Sequence, residues 1–282
     1  MPLDVSAEVI SNTRLSSHYN VVVLAAPEIA AGTAPGQFVM VKPARGFDPM
    51  LRRPFSVFEV LRDPQGGAIG LSLLNKRVGR GTTLLYDARP GDRIGCLGPL
   101  GRPFAPVDPP AEAWMIAGGV GLAPFATLAA ALAARRTPMT LFYGGRSAAD
   151  LYYADRFEEI GARLLLTTED GTRGEAGRIT APLERALAAR PVDRPVTIYA
   201  CGPTPMMRAV ARLGERFARP VFVSLEPVMG CGMGGCYSCV VRVRRAPSTQ
   251  HPAPSTLFVR SCLDGPVFDA SSIVWDALPD GH

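Results

Sequence analysis

Histidine is nearly absent from this 282-residue chain, occurring only at His18, His251 and His282. That scarcity excludes a Ser/His/Asp or Cys/His nucleophilic set, which needs an imidazole held beside its nucleophile. Lysine is scarcer still, at Lys42 and Lys76 alone. The net charge of +5 is therefore almost wholly arginine. Those arginines are scattered rather than striped, which argues against nucleic acid as a partner. The densest group, Arg242, Arg244 and Arg245, reads as the solvated face of a hairpin. No apolar run reaches 18 residues, and Met1-Pro-Leu-Asp lacks the basic start and apolar core of a signal peptide. The expectation is a cytoplasmic protein with no membrane insertion. Disulfides are not expected either. Four of the six cysteines fall in one pattern, and the other two, Cys96 and Cys201, sit in different elements.

That pattern is what the chain is organised around. Cys231-x4-Cys236-x2-Cys239, followed by a distant Cys262, is the plant-type spacing for a [2Fe-2S] cluster held by four thiolates. Two irons need four soft anionic ligands, and a short loop must wrap the cluster so that three converge from one side. Gly230, Gly232, Gly234 and Gly235 let that backbone turn tightly and approach the sulfides. A zinc knuckle is the competing assignment, but zinc more often pairs two C-x2-C units, and one is present here. The interval from Cys239 to Cys262 is long and proline-rich at 246–255. It reads as a hairpin extension between strands Tyr237–Val243 and Leu257–Arg260.

Residues 1–105 read as all-β. Runs at Tyr19–Ala25, Phe38–Lys42, Phe55–Val60, Ala68–Leu74 and Asp92–Leu97 are separated by Gly/Pro/Asp turns, which suggests a small antiparallel barrel. Prolines between Pro103 and Pro110 mark a boundary. Over 111–224 short apolar strands alternate with helices, the mark of a parallel sheet covered on both faces. The strands are expected at Trp114–Ala117, Met139–Tyr143, Arg163–Thr167, Val196–Ala200 and Val221–Ser224. Residues 225–282 are then a small third domain.

Arg52-Arg53-Pro54-Phe55-Ser56 opens a strand, and Leu74-Asn75-Lys76 and Gly81-Thr82-Thr83 follow. An always-charged arginine fork beside a rigid proline suits a pyrophosphate. Gly81-Thr82-Thr83 can open a helix whose free N–H groups and hydroxyls point at the same phosphates. Gly118-Gly119-Val120-Gly121 lies where a strand passes to a helix, as a dinucleotide's phosphates require. Cys201-Gly202 ends the next comparable strand. Glu169, Asp170 and Glu175 lie among glycines and read as a surface turn.

In this order the motifs Arg-Pro-Phe-Ser, Gly-Arg-Gly-Thr, Gly-Pro-Leu-Gly, Gly-Gly-Val-Gly-Leu-Ala-Pro and Cys-Gly-Pro-Thr-Pro-Met-Met resemble the ferredoxin–NADP reductase superfamily. The C-terminal cysteine motif, with Cys262-Leu-Asp-Gly-Pro-Val-Phe-Asp and Val274-Trp275, is similar to that of the electron-transfer subunits of class 1B dihydroorotate dehydrogenases. The resemblance implies a multi-domain α+β chain: an FAD barrel, an NAD-binding α/β domain and a [2Fe-2S] domain. By position, Arg53, Pro54, Phe55, Ser56, Leu74, Asn75, Lys76, Gly81 and Thr82 would hold FAD. Gly118, Gly119, Val120, Gly121, Cys201 and Gly202 would face NAD. Cys201 and Ser56 would stand at the reacting rings, and Cys231, Cys236, Cys239 and Cys262 would ligate iron. The implied role is an oxidoreductase subunit in pyrimidine biosynthesis, passing electrons from a partner's FMN to NAD+, with the partner catalytic subunit completing a heterotetramer. Two other readings stay open on residues alone. One is a self-contained NAD(P)H-dependent reductase for another acceptor. The other is a non-enzymatic redox sensor or adaptor.

Overall fold

The computed structural model describes residues 1–44, 46–191, 193–245 and 255–279. The chain begins with β1 (Leu3–Arg14), β2 (Tyr19–Ala25), α1 (Pro27–Ala31), β3 (Phe38–Lys42), β4 (Arg53–Ser56), β5 (Glu59–Arg62), β6 (Ala68–Lys76), α2 (Arg80–Asp87) and β7 (Arg93–Leu100). These strands form one antiparallel half-barrel sheet in the order β4-β3-β7-β1-β2-β6-β5. The two edge strands are neighbours in sequence, joined by the buried pair Val57 and Phe58. The Val57 amide bonds to Gln37 beside one edge and the Phe58 amide to Ser72 near the other, so this corner draws the edges together. The single strand expected over Phe55–Val60 is therefore two. β1 escaped the sequence reading altogether, although its Val5, Ala7 and Val9 alternate inward in the way a half-buried strand demands.

The second unit comprises β8 (Glu112–Gly118), α3 (Ala123–Ala134), β9 (Met139–Gly145), α4 (Ala154–Glu159), β10 (Arg163–Thr168), β11 (Glu175–Ala176), α5 (Thr180–Ala188), β12 (Val196–Cys201), α6 (Thr204–Arg216) and β13 (Val221–Ser224). β12 is buried at every residue, as a central strand covered on both faces must be. Alanine-rich α3 buries seven residues from Ala123 to Leu132, because small side chains let it lie close on the sheet. The last part adds β14 (Val240–Arg245), β15 (Ser255–Arg260), α7 (Ser261–Asp264) and β16 (Val267–Asp269). β14 and β15 pair as the expected antiparallel hairpin, whose tip at 246–254 lies outside the described residues.

β16 then joins the second unit's sheet, antiparallel to β13, giving the order β11-β10-β9-β8-β12-β13-β16. The boundary expected after Ser224 is thus bridged by a strand from the C-terminal segment. Three cores result. One fills the barrel around Val22, Ile29, Val39 and Leu73. A second runs from the barrel's Phe58 and Leu74 into Leu122, Phe125 and Tyr199 of the parallel-sheet unit. The third binds the cysteine segment to the barrel and governs the site described next.

Candidate redox and nucleotide sites

Phe38 and Met40 of β3, Leu97 and Leu100 of β7, and Met229, Cys239 and Cys262 make one buried apolar cluster. The cysteine loop is therefore pressed on the outside of the barrel. At Gly232, which holds φ +74°, an added Cβ would stand 2.4 Å from Met40 Cγ, so this approach requires glycine. The four thiols fall into two pairs. Cys231 and Cys236 interact through a side-chain hydrogen bond, and the Cys262 amide donates to Cys239 Sγ at 3.5 Å. Among the described residues no three His, Cys, Asp or Glu side chains gather around a single ion. Four cysteine thiolates at this spacing are the donor set of a two-iron cluster. Backbone donors are also close: the Met233 amide points at Cys231 Sγ at 3.4 Å. Exposed Cys236 shares a hydrogen bond with the Ser238 hydroxyl at 3.1 Å, which lowers its pKa to about 6, while burial and then Cys239 raise Cys262 to about 12.

On the barrel, Arg53, Pro54, Phe55 and Ser56 lie on edge strand β4, each half-buried. Arg53 Nη1 is anchored on the carbonyls of Leu51 and Arg52 at 3.0 and 3.1 Å, which leaves its other hydrogens for a ligand. The side chain crosses the first turn of α2, where a Cβ at Gly81 would lie 3.2 Å from Arg53 Cγ. An arginine fork and the unfilled N–H groups of a helix start therefore share one place, and the donor set fits a flavin diphosphate. Arg52 is committed elsewhere, bidentate on Asp4 at 2.8 and 3.0 Å. The Thr82 hydroxyl, expected to face phosphate, closes the turn instead. It accepts from the Val78 and Gly79 amides and donates to the Gly79 carbonyl. Asn75, expected at the flavin, is fully buried, with its amide hydrogens spent on Asn20 and the Thr82 carbonyl. Leu74 is buried in the core between barrel and parallel sheet.

Lys76 faces a different space. A cavity of about 360 Å³ between the two units is lined by His18, Tyr19 and Lys76 from the barrel, and by Arg146, Ser147, Asp150 and Asp170 at the ends of β9 and β10. Tyr19 donates to Asp150 at 2.9 Å across this junction, and Arg146 Nε donates to the same carboxylate at 3.2 Å. Burial pushes Asp150 up, but the Tyr19 hydroxyl and the Arg146 guanidinium outweigh it and hold its pKa below the usual carboxylate value.

The strand-end glycines are explained by packing. A Cβ at Gly121 would lie 2.3 Å from the Cys201 carbonyl oxygen, and one at Gly118 would lie 2.8 Å from Pro203 Cδ. The turn after β8 therefore rests on the turn after β12, backbone against backbone. Gly119 and Val120 stay partly open, while Cys201 and Gly202 are buried. Cys201 Sγ lies 3.6 Å from Glu226 Oε1. Burial, then Glu226, raises the thiol well above its ordinary value. Glu226 itself is open to solvent. This pairing of strand ends β12 and β13 was missed from sequence, where Glu226 drew notice only as the start of the cysteine stretch. Its position two residues past Ser224, the end of β13, was the available signal.

A curled antiparallel sheet with an arginine-gated helix start, a parallel nucleotide sheet and a four-thiolate loop define an NAD-linked, flavin- and iron–sulfur-dependent oxidoreductase subunit. Residues 115–212 match the oxidoreductase NAD-binding domain, and residues 226–274 match the iron-sulfur cluster binding domain of dihydroorotate dehydrogenase B. The chain is 40% identical over 245 residues to the dihydroorotate dehydrogenase B (NAD(+)), electron transfer subunit of Geobacillus kaustophilus, covering 85% of this chain and 86% of that one. The subunit of the same name from Desulforamulus reducens is 36% identical, over 89% and 90% of the two chains. Among solved structures, that of an NADH-dependent reduced ferredoxin-NADP oxidoreductase described for flavin-based electron bifurcation is 28% identical. It superposes with a TM-score of 0.79 over 96% of this chain and 91% of that one. The chain belongs to the family of dihydroorotate dehydrogenase B (NAD(+)) electron transfer subunits.

Proposed function

We propose that this chain passes electrons between a dihydroorotate dehydrogenase catalytic subunit, carrying FMN, and NAD+, and that the pair assembles as a heterotetramer. When bound, the cluster supplies one-electron transfer and FAD supplies the conversion between single electrons and hydride. The observation that carries this reading is the apolar seat of Cys239 and Cys262 on Met40, Leu97 and Leu100, which sets the cluster loop against the flavin barrel itself.

The chain's own residues divide the work. Cys231, Cys236, Cys239 and Cys262 would hold the cluster. Arg53 and the first turn of α2 hold the FAD diphosphate, with Pro54, Phe55 and Ser56 of β4 along the flavin. Lys76 is better suited to the nicotinamide nucleotide than to FAD, because it lines the cavity shared with the ends of β9 and β10. Gly119 and Val120 line the dinucleotide path. Glu226 presents a solvent-facing carboxyl, with buried Cys201 behind it. Val228, Met233, Tyr237 and Leu263 expose large apolar surfaces around the cysteine loop, which supports that loop as the docking face for the partner. Among the described residues no helix is long and apolar enough to cross a membrane.

The test is reconstitution with the catalytic subunit from the same source. Alone, the chain is expected to reduce artificial acceptors with NADH and leave dihydroorotate untouched. The pair is expected to form orotate coupled to NAD+ reduction. A chain that binds and serves a different redox partner, and not this one, would transfer the assignment to a self-contained reductase.

A further inference from the structure

Three asparagines stand side by side on the face of the half-barrel that carries α2: Asn12 of β1, Asn20 of β2 and Asn75 of β6, on three adjacent strands. Asn20 and Asn75 are fully buried. Buried amides are costly unless bonded, and the amide hydrogens here run head to tail across the strands, with Asn75 Oδ1 alone left without a protein partner. Asn12 Nδ2 donates to the carbonyls of Leu85, Tyr86 and Ala88 at the C-terminal end of α2. Asn20 Nδ2 donates to Asn12 Oδ1 at 2.7 Å, and Asn75 Nδ2 donates to Asn20 Oδ1 at 2.7 Å. The chain ends where Asn75 Nδ2 donates to the Thr82 carbonyl at 2.9 Å, in the first turn of the same helix. Thr82 in turn organises the preceding Val78–Gly79 turn through its hydroxyl.

This arrangement answers a specific difficulty. An eight-residue helix is marginal on its own. Its last carbonyls need partners, and no basic residue in its last turn supplies one. Its first turn cannot be held from the front, because its N–H groups must stay unfilled to meet an anion. The relay holds it from behind, at both ends, through carbonyls that no ligand uses.

We propose that Asn12, Asn20 and Asn75 are positioning residues for the flavin diphosphate, fixing α2 so that its first turn and Arg53 form a pre-set cradle. This rests on the assignment of Arg53 and α2 as the diphosphate site. The three asparagines act through the helix, and the ligand class they serve is one with a diphosphate, FAD rather than FMN.

The experiment measures FAD and FMN dissociation constants by fluorescence titration of the flavin-free full chain, for wild type, Asn20→Leu, Asn12→Ala and Arg53→Ala. Melting of each flavin-free protein is recorded alongside. Both asparagine variants are expected to bind FAD roughly tenfold more weakly, the scale of one lost buried hydrogen bond. The FAD-over-FMN preference is expected to shrink in step, toward that of Arg53→Ala. General loosening of the barrel lowers both affinities together, so an unchanged preference in the relay variants would overturn the proposal. Should Asn20→Leu fail to fold, Asn12→Ala decides, since it truncates the half-buried end of the relay. A folded Asn12→Ala chain with wild-type preference overturns the proposal. Arg53→Ala retaining wild-type preference would remove the diphosphate assignment itself, and the relay's role with it.

Discussion

Gly81→Ala separates the stability of α2 from its function. In a helix interior alanine is favoured over glycine by about 0.8–1 kcal/mol, less near the first turn. At position 81 the new Cβ would stand 3.2 Å from Arg53 Cγ, so one of the two must give. Arg53 does not swing freely, because its Nη1 is tethered to the Leu51 and Arg52 carbonyls. Moving it about 30° off its rotamer costs about 0.5–1.5 kcal/mol, which nearly cancels the helical gain. The flavin-free protein is therefore expected to melt within a few degrees of wild type. Binding has no such offset. A charge-assisted hydrogen bond is worth about 1.5–3 kcal/mol, so Arg53→Ala is expected to weaken FAD by about 10- to 150-fold. Gly81→Ala, which displaces that guanidinium without removing it, is expected to fall between wild type and Arg53→Ala. Titration of flavin-free protein with FAD, beside thermal melts, reads both quantities. Wild-type FAD affinity in Gly81→Ala, with a large loss in Arg53→Ala, would refute the claim that Gly81 exists to let Arg53 pass.

The same site shows why some of this chemistry was legible in sequence and some was not. The cysteine ligands were readable because three of them lie within nine residues, and their spacing is set by the cluster's own size. The strand-end glycines were readable as turns, but their reason was not. Gly121 is small because the Cys201 carbonyl lies against it, a contact made across 80 residues by the pairing of β8 with β12. The family resemblance puts Asn75 at the flavin by position, together with Leu74 and Lys76. Only the register that sets it opposite Asn20 shows that it points to the back of α2. Lys76, one residue on, points out of the barrel toward β9 and β10, since neighbouring strand residues face opposite sides. Glu226 and Cys201 meet because β12 and β13 are adjacent parallel strands, and sequence distance carries no trace of that.

Three further outcomes are expected. Cys236→Ser should abolish the visible charge-transfer absorption and the roughly two irons and two acid-labile sulfides of a [2Fe-2S] centre. FAD should stay bound, because the loop seats on β3 and β7 and not on Arg53 or α2, and simultaneous loss of both would contradict separate sites. Gly121→Ala should lower stability by about 2 kcal/mol or more, since the Cβ meets backbone 2.3 Å away and no side chain can relax the clash. A melting point equal to wild type would refute that packing account. The pH dependence turns on Asp150, whose folded pKa is lowered by the Tyr19 and Arg146 donors against the opposing effect of burial. A carboxyl with a lowered folded pKa binds fewer protons folded than unfolded, so its stabilisation is full above the unfolded value, about 3.9. It is lost as pH falls through the folded value. Wild type is therefore expected to lose stability across the acid range more steeply than Asp150→Asn, which has no proton to take up there. Tyr19→Phe should reduce the same slope, because it removes the donor that crosses from the barrel to the parallel-sheet unit at 2.9 Å. Thermal melts between about pH 3 and pH 7 would read this, and parallel curves for wild type and Asp150→Asn would rule out Asp150 as the acid-sensitive tie between the two units.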